Sequence, residues 1–341
     1  MKKSVFFSMA MVVCITVISF SQNIEGSKSV LKKHARISIE SIDKNAKSHS
    51  SGIKLPNPHW NPKPWTHSTK NILHIGKTIE NKNNFDILDS PIPDTSFIGL
   101  IDNASSIPPD VNGAVGPNHL VQTLNTDVRI SDKRGNELFT TSLSTWWESM
   151  PGNGGTFDPK IIYDPYAEKW LMITPSGSTA TTSRIYIAVS TSSNPMDDWY
   201  FYYIDTDPEY TLWFDYPNLG FNKKWISIGG IMRNSAFEAV EFVVYTFDKI
   251  AAYNGEDEPI LNRFTTTLGS AIVPSFTYDE FAEDLYLIST GNGNFEGNGY
   301  INLFKLSGTA EDVEFNLLGS IGIPEPWENW SYENHGDFLP Q

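Results

Sequence analysis

The chain has 341 residues, of which 40% are hydrophobic and 13% aromatic, so it is long enough to bury a large core. Lysine and arginine number 25 against 40 aspartates and glutamates, which gives a formal net charge of −15. A surface with this excess of negative charge repels nucleic acid and anionic membranes, so both are excluded as partners.

The first 21 residues predict an export signal. Lys2 and Lys3 precede an apolar stretch that is too short for a usual membrane span, and serines at 19 and 21 precede Gln22. We therefore expect a secreted or cell-surface protein with no membrane span once residues 1–21 are removed. Cys14, the only cysteine, lies inside this segment with apolar residues after it, which disfavours a lipid anchor. The mature chain would keep 23 basic residues (25 less 2) against 40 acidic ones, and it would hold no disulfide.

Residues 22–96 are rich in lysine, asparagine, serine and proline. They include the stretch "LPNPHWNPKPW" at 55–65, which is typical of extended, polyproline-like chain. No hydrophobic period is sustained in this region. The composition predicts an extended and poorly ordered leader.

A repeated motif organises the rest of the chain. The stretch "FDPKIIYDPYAEKWLMI" at 157–173 recurs as "IVPSFTYDEFAEDLYLI" at 272–288, and "FDYPNLGFNKKWISI" at 214–228 lies halfway between them. An earlier copy is "PPDVNGAVGPNHLVQT" at 108–123, and "HGDFLPQ" at 335–341 matches the start of a fifth. The spacing of roughly 57 residues is close to that of propeller blades.

Short β-branched and aromatic runs follow each copy, for example "SRIYIAVSTS" and "VEFVVYTFD". Turn residues separate these runs, and helical periodicity is almost absent. We therefore predict an all-β fold over residues 97–341, a β-propeller of four-stranded antiparallel blades with about four blades present and an incomplete C-terminal end. A β-sandwich is the alternative, although it would not explain a repeat at a fixed period.

Acidic residues occupy the predicted start of the innermost strand in three copies. They are Asp110, Asp158 and Asp215, while the fourth copy has Val273 at this place and the fifth has His335 and Asp337. Because innermost strands begin at one mouth of a propeller channel, these carboxylates are expected to converge. Together with Asp337 they could hold Ca²⁺, which prefers oxygen ligands. They could also act as acid and base on a sugar, or each could only cap its own turn.

Aromatic residues between blades are the candidate ligand-binding groups. Flat rings beside amides and carboxylates bind sugars by stacking and hydrogen bonding, although tryptophan also packs between blades. The candidates are Trp146, Trp147, Trp327, Trp330 and Tyr332, with His335 beside them.

The repeated stretches "PPDVNGAVGPNHLVQT", "FDPKIIYDPYAEKWLMI" and "FDYPNLGFN" resemble those of large, uncharacterised exported β-propeller proteins of the Bacteroidota type. A weaker likeness joins "DVNG" and "FDPKIIYD" to five-bladed glycosidases of the invertase, levansucrase and arabinanase type. This likeness implies that Asp110 is a nucleophile or base and that Asp158 steadies the transition state. The third copy offers Asp215 where those enzymes have a glutamate that donates the proton.

Two hypotheses follow for function. The first is a secreted propeller that binds an extracellular glycan or a cell-surface protein at the channel mouth, with structural calcium. The second is a glycoside hydrolase or lyase that uses the three aspartates.

Overall fold

The computed structural model describes residues 21–47, 72–73, 92–101, 103, 105–106, 108–152 and 154–327. The N-terminal part contains β1 (Gln22–Ile24), β2 (Gly26–Val30), β3 (Lys32–Ile37), a 3-10 helix (Ile39–Ser41) and the short β4 (Ile72–Leu73). None of the helices in these ranges is long and apolar enough to cross a membrane.

Four consecutive antiparallel blades follow, and they confirm the predicted fold class. Blade 1 contains β5 (Asn112–Val115), β6 (His119–Thr123), β7 (Asp127–Asp132) and β8 (Glu137–Ser142), followed by the helical turn α1 (Leu143–Trp146). Blade 2 contains β9 (Lys160–Asp164), β10 (Lys169–Ser176), β11 (Arg184–Ser190) and β12 (Trp199–Asp205).

Blade 3 contains β13 (Trp213–Phe221), β14 (Trp225–Arg233), β15 (Ala239–Asp248) and β16 (Ile260–Thr266), with α2 (Lys249–Tyr253) between its last two strands. Blade 4 contains β17 (Val273–Pro274), β18 (Leu285–Thr290), β19 (Gly299–Gly308) and β20 (Val313–Ile323). The innermost strands therefore begin near Asp110, Asp158, Asp215 and Pro274, as the repeat predicts.

The repeated Tyr-Asp motif forms the hairpin between the first two strands of a blade. In blade 2 the Asp164 carboxylate accepts hydrogen bonds from the amides of Tyr166 (3.0 Å) and Ala167 (3.2 Å). In blade 4 Asp279 accepts one from the amide of Phe281 at 2.8 Å. Aspartate closes such turns because its side chain satisfies amides that the turn leaves unpaired.

The hydrophobic core lies between the blades, in three separate clusters. One joins blades 1 and 2, a second joins blades 2 and 3, and a third joins blades 3 and 4. Each cluster is formed by alternate residues of facing strands, since successive side chains point to opposite faces of a sheet. Face-to-face packing of consecutive four-stranded sheets is the architecture of a propeller.

Residues 22–45 form paired strands, whereas the composition predicts a poorly ordered leader over 22–96; of the remainder of that range the structure describes only 46–47, 72–73 and 92–96. Strand β1 pairs with β20 of blade 4, β2 with β16 of blade 3, and β3 with β12 of blade 2. The chain then reaches blade 1, where the Asn45 amide donates to the Thr140 carbonyl at 2.8 Å. Residues 22–45, here called the strap, thus run along the outer edges of four blades in reverse order. Open strand edges gain backbone hydrogen bonds from an added strand, and composition alone does not reveal that pairing.

Apolar anchoring and ion pairs hold the strap in place. Leu31 is fully buried in the cluster between blades 2 and 3, and its amide donates to the Pro259 carbonyl at 2.8 Å. Four basic side chains of the strap meet carboxylates of the blades, in the pairs Lys28–Asp312, Lys32–Asp205, Lys33–Asp257 and Arg36–Asp198. Exposed pairs of this kind contribute little individually, so burial of Leu31 and strand pairing are the larger contributions.

Candidate functional site

Two aspartates of the predicted site have an unusual backbone conformation. Asp110 and Asp158 stand two residues before the innermost strands of blades 1 and 2, with φ of 46° and 48°. Few residues other than glycine adopt positive φ, and aspartate is among those that tolerate it. Such a conformation persists only where surrounding contacts impose it.

Hydrogen bonds with the Asn125 side chain hold both aspartates in this positive-φ conformation. Its side-chain amide nitrogen donates to the Asp110 carboxylate and, at 2.9 Å, to the Pro108 carbonyl. Its side-chain oxygen accepts a hydrogen bond from the backbone amide of Asp158 at 2.6 Å. One asparagine, in the turn between β6 and β7, therefore joins the inner-strand starts of two blades.

The carboxyl groups of Asp110 and Asp158 lie close enough to interact. Burial raises the pKa of Asp158 to about 8, and interaction with Asp110 and the negative charge of Asp215 act in the same direction, against an opposing effect of Lys160. Neighbouring carboxylates repel each other when both are ionised, which favours the protonated form of one of them. At neutral pH Asp158 is therefore largely protonated.

Asp215 lies in a different environment. Its carboxylate forms an ion pair with Arg233 on the neighbouring strand, with Nε and Oδ2 2.5 Å apart. The residue that shares the positive φ and the position before proline with Asp158 is Tyr216, with φ of 57°. Asp215 therefore lies one residue before the position equivalent to Asp158, to which the sequence analysis assigned it. Its negative charge also contributes to the raised pKa of Asp158.

Trp146 and Trp147 are unavailable for the ligand binding predicted for them. Both are buried, with 1% and 3% of their surface exposed, in the cluster between blades 1 and 2. Trp146 contacts Trp199 edge-on, with ring centroids 5.3 Å apart, and Trp147 lies 4.9 Å from the Phe201 ring. Their rings serve blade packing, the alternative that the sequence also allows.

Trp327 is partly buried and lies beside blade 4, where its amide donates to the Gly293 carbonyl at 2.9 Å. Its ring lies against Gly299, where no larger residue would fit. The other candidates, Trp330, Tyr332, His335 and Asp337, lie outside the described residues.

Several residues of the mouth were not predicted. Tyr216 is 58% exposed beside Asp215, and Phe237 is 46% exposed in the loop between β14 and β15. Phe237 contacts Trp213 edge-on at 5.5 Å, and Trp213 in turn contacts Phe157 at 6.5 Å. Phe237 lies in a loop between the second and third strands of a blade, where the fold places mouth residues. The sequence signal that identifies Tyr216 is its position directly before a proline, which it shares with Asp158.

The calcium site remains a prediction. Within the part of the chain that the structure describes, no three His, Cys, Asp or Glu side chains are grouped closely enough to hold a metal ion. Asp158 is largely protonated at neutral pH, and Asp215 is paired with Arg233.

Comparison with protein-family profiles and with curated proteins found no match. Among solved structures, the chain is similar to a neuraminidase-like protein of A/flat-faced bat/Peru, with 10% identity over 64% of this chain and 74% of that one and a TM-score of 0.30. It is also similar to an exo-beta-1,3-galactanase from Phanerochaete chrysosporium, with 10% identity over 64% of this chain and 52% of that one and a TM-score of 0.32. At these TM-scores the likeness carries no argument about function.

Proposed function

We propose that the protein is a secreted β-propeller that binds an extracellular glycan at the channel mouth. The observation that supports this proposal is the pair of neighbouring carboxyl groups, Asp110 and the protonated Asp158, in a mouth that also exposes Tyr216 and Phe237. Such a pair offers both a hydrogen-bond donor and several acceptors to ligand hydroxyls. Exposed aromatic rings beside it offer flat faces on which sugar rings stack.

The charge of the mouth narrows the class of ligand. The negative charge beside Asp158 disfavours strongly anionic polymers, because like charges repel in a partly enclosed site. Arg233 offsets the charge of Asp215, which therefore adds little to this repulsion. A neutral polysaccharide therefore fits better than a sulfated or uronic-acid-rich one. A cell-surface protein that presents hydroxyl groups or a cationic side chain is the other class of ligand.

A glycoside hydrolase is the second candidate, because the raised pKa of Asp158 keeps a proton available at neutral pH. The geometry favours binding over hydrolysis. Glycosidases hold their two catalytic carboxyls at least about 5 Å apart, on either side of the bond that breaks. Asp110 and Asp158 instead lie beside each other and Asp215 is held by Arg233 in an ion pair, which supports binding rather than hydrolysis.

The test measures retention of the mature protein on polysaccharide affinity gels, with neutral and anionic polymers in parallel. Tyr216→Ala should weaken retention about fivefold, since stacking on one ring contributes roughly 1 kcal/mol. The matched control is Tyr166→Ala, because Tyr166 is 65% exposed on the hairpin at the opposite end of blade 2. Equal retention of both variants would contradict the proposal. Release of reducing ends from any polymer would instead support the second candidate, a glycoside hydrolase.

A further inference from the structure

Exposed aromatic rings cluster on the hairpins that join the first two strands of blades 2 and 4. Each inner strand begins at the mouth and ends in such a hairpin, so the cluster lies at the opposite end of the channel. The Tyr166 ring of blade 2 lies 6.1 Å from the Tyr278 ring of blade 4, and Tyr278 lies 5.8 Å from Phe276. Phe281 is on the same hairpin as Tyr278. All four side chains are exposed, and we call them the hairpin face: Tyr166 65%, Phe276 55%, Tyr278 40% and Phe281 81%.

The hairpin face is held by the blade between its two hairpins. Phe221 of blade 3 is buried and contacts Phe276 face to face, with ring centroids 6.4 Å apart, and Tyr278 edge-on at 5.7 Å. The two most exposed rings, Tyr166 and Phe281, occupy equivalent positions of the repeated Tyr-Asp motif. A single exposed aromatic ring is ordinary on a protein surface. A contiguous exposed group that three blades hold in place indicates an interaction surface.

The charge around the hairpin face is negative. Glu168 is exposed on the hairpin of blade 2, and Asp279 and Glu280 are exposed on that of blade 4. Both lysines of the blade 3 hairpin form ion pairs with Glu283, so their charge is already offset. Aromatic faces attract cations through their π electrons, and carboxylates attract the same cations through charge. This combination is complementary to guanidinium and ammonium groups.

We propose that the hairpin face binds a basic segment of another protein, one that presents arginine or lysine side chains. Arginine suits the face best, because its planar guanidinium stacks on an aromatic ring and pairs with a carboxylate at the same time. A second copy of this chain fits poorly. It carries a net charge of −15, and four basic side chains of its strap are already paired with blade carboxylates. The proposal does not depend on the glycan at the opposite mouth.

The probe is a fluorescent octapeptide of alternating arginine and serine. Its counterpart has citrulline in place of arginine, which keeps the size of the side chain and removes the charge. In anisotropy titrations at low ionic strength the natural protein should bind the arginine peptide about fivefold more tightly or better. Equal binding of the two peptides, or no binding of the arginine peptide, would overturn the proposal.

The contribution of the rings is tested without a change of charge. Tyr166→Ser with Phe281→Ser removes the two most exposed rings, and binding of the arginine peptide should weaken about fivefold. The control is Tyr210→Ser, which removes an exposed ring from the loop between blades 2 and 3 and should leave binding unchanged. Unchanged binding by the double variant, or an equal loss in the control, would contradict the assignment.

The contribution of the carboxylates is tested with the rings intact. Glu168→Gln with Glu280→Gln should weaken binding of the arginine peptide about threefold. The control, Glu311→Gln with Glu314→Gln, removes the same charge at the turn between β19 and β20 and should have little effect. An equal loss from both pairs would mean that the peptide responds only to the overall charge, and would overturn the proposal.

Two further measurements separate the other possible occupants. The variant with Tyr166→Ser and Phe281→Ser should be retained on polysaccharide gels as the natural protein is, and a loss of retention would assign the hairpin face to a glycan instead. Sedimentation of the natural protein should show no dimer that this variant lacks. Such a dimer would assign the face to a second copy of the chain.

Discussion

Replacing Asp158 by asparagine tests the arrangement of the acidic mouth. The neutral amide can donate to Asp110 as the protonated acid does, so it mimics the native form of the pair. The pKa of Asp158 is raised in the folded state, from an ordinary value near 3.8 to about 8. The folded chain therefore binds this proton more tightly than the unfolded chain, and the natural protein loses stability as pH rises between these two values.

The size of this effect follows from the shift. Each pH unit in this window changes the free energy of unfolding by about 1.4 kcal/mol for a fully shifted group. Between pH 5 and pH 8 the advantage of Asp158→Asn over the natural chain should therefore grow by about 2 to 4 kcal/mol, the lower figure allowing for partial exposure and interaction with Asp110. Above pH 8 it should level off.

Urea unfolding followed by tryptophan fluorescence at several pH values measures this difference, and effects of all other groups cancel between the two proteins. Asp110→Asn is the companion variant, since removing the neighbouring charge should lower the pKa of Asp158 and shift the fall in stability to lower pH. An advantage of Asp158→Asn that stays constant from pH 5 to pH 8 would refute the raised pKa of Asp158.

Three further outcomes are expected. Leu31→Ala should lower the free energy of unfolding by about 2 to 4 kcal/mol, because Leu31 anchors the strap in a closed core. The neighbouring Val30→Ala, at a 38% exposed position, should cost far less. Urea titrations that show equal losses for the two variants would contradict the anchoring. Lys249→Met should lower the free energy of unfolding by about 3 to 5 kcal/mol, because it leaves the buried Asp164 carboxylate without its partner 2.5 Å away. Adding Asp164→Asn should restore part of this loss in the same assay. If the predicted calcium site exists, calcium should raise the Tm of the natural protein but not that of Asp158→Ala with Asp215→Ala; a Tm that calcium leaves unchanged would argue against the site.

The blades were predictable from sequence because their signal is local and repeated. Proline and aspartate at fixed phase mark the start of each inner strand, and the Tyr-Asp motif marks the following hairpin. The strap was not predictable, because β2 is exposed at all five positions and no residue of β3 is fully buried, so little apolar patterning marks these strands in the sequence. Its pairing depends on open edges of blades that lie hundreds of residues away in the chain.

The site was predictable in part for the same reason. Asp110 and Asp158 were found because they repeat at one phase. Asp215 was assigned one residue out of phase, since a bulge in β13 shifts the register between Asp215 and Asn218 and moves Tyr216 to the equivalent position. The repeat marks the starts of inner strands and the first hairpin of a blade but not the turn that contains Asn125, so only the fold places Asn125 between the two aspartates.

The strap changes how the four blades depend on one another. In a repeat architecture each unit contacts only its neighbours, so a single weak interface can open while the others persist. Here residues 22–45 pair with blades 4, 3 and 2 and then bond to blade 1, so opening any one interface strains the pairing on either side of it. Such coupling matters most at the mouth, because Asn125 of blade 1 holds the Asp158 amide of blade 2. A shift between these two blades would separate the carboxyl pair, so the strap on the outer edge also preserves the geometry of the site at the centre.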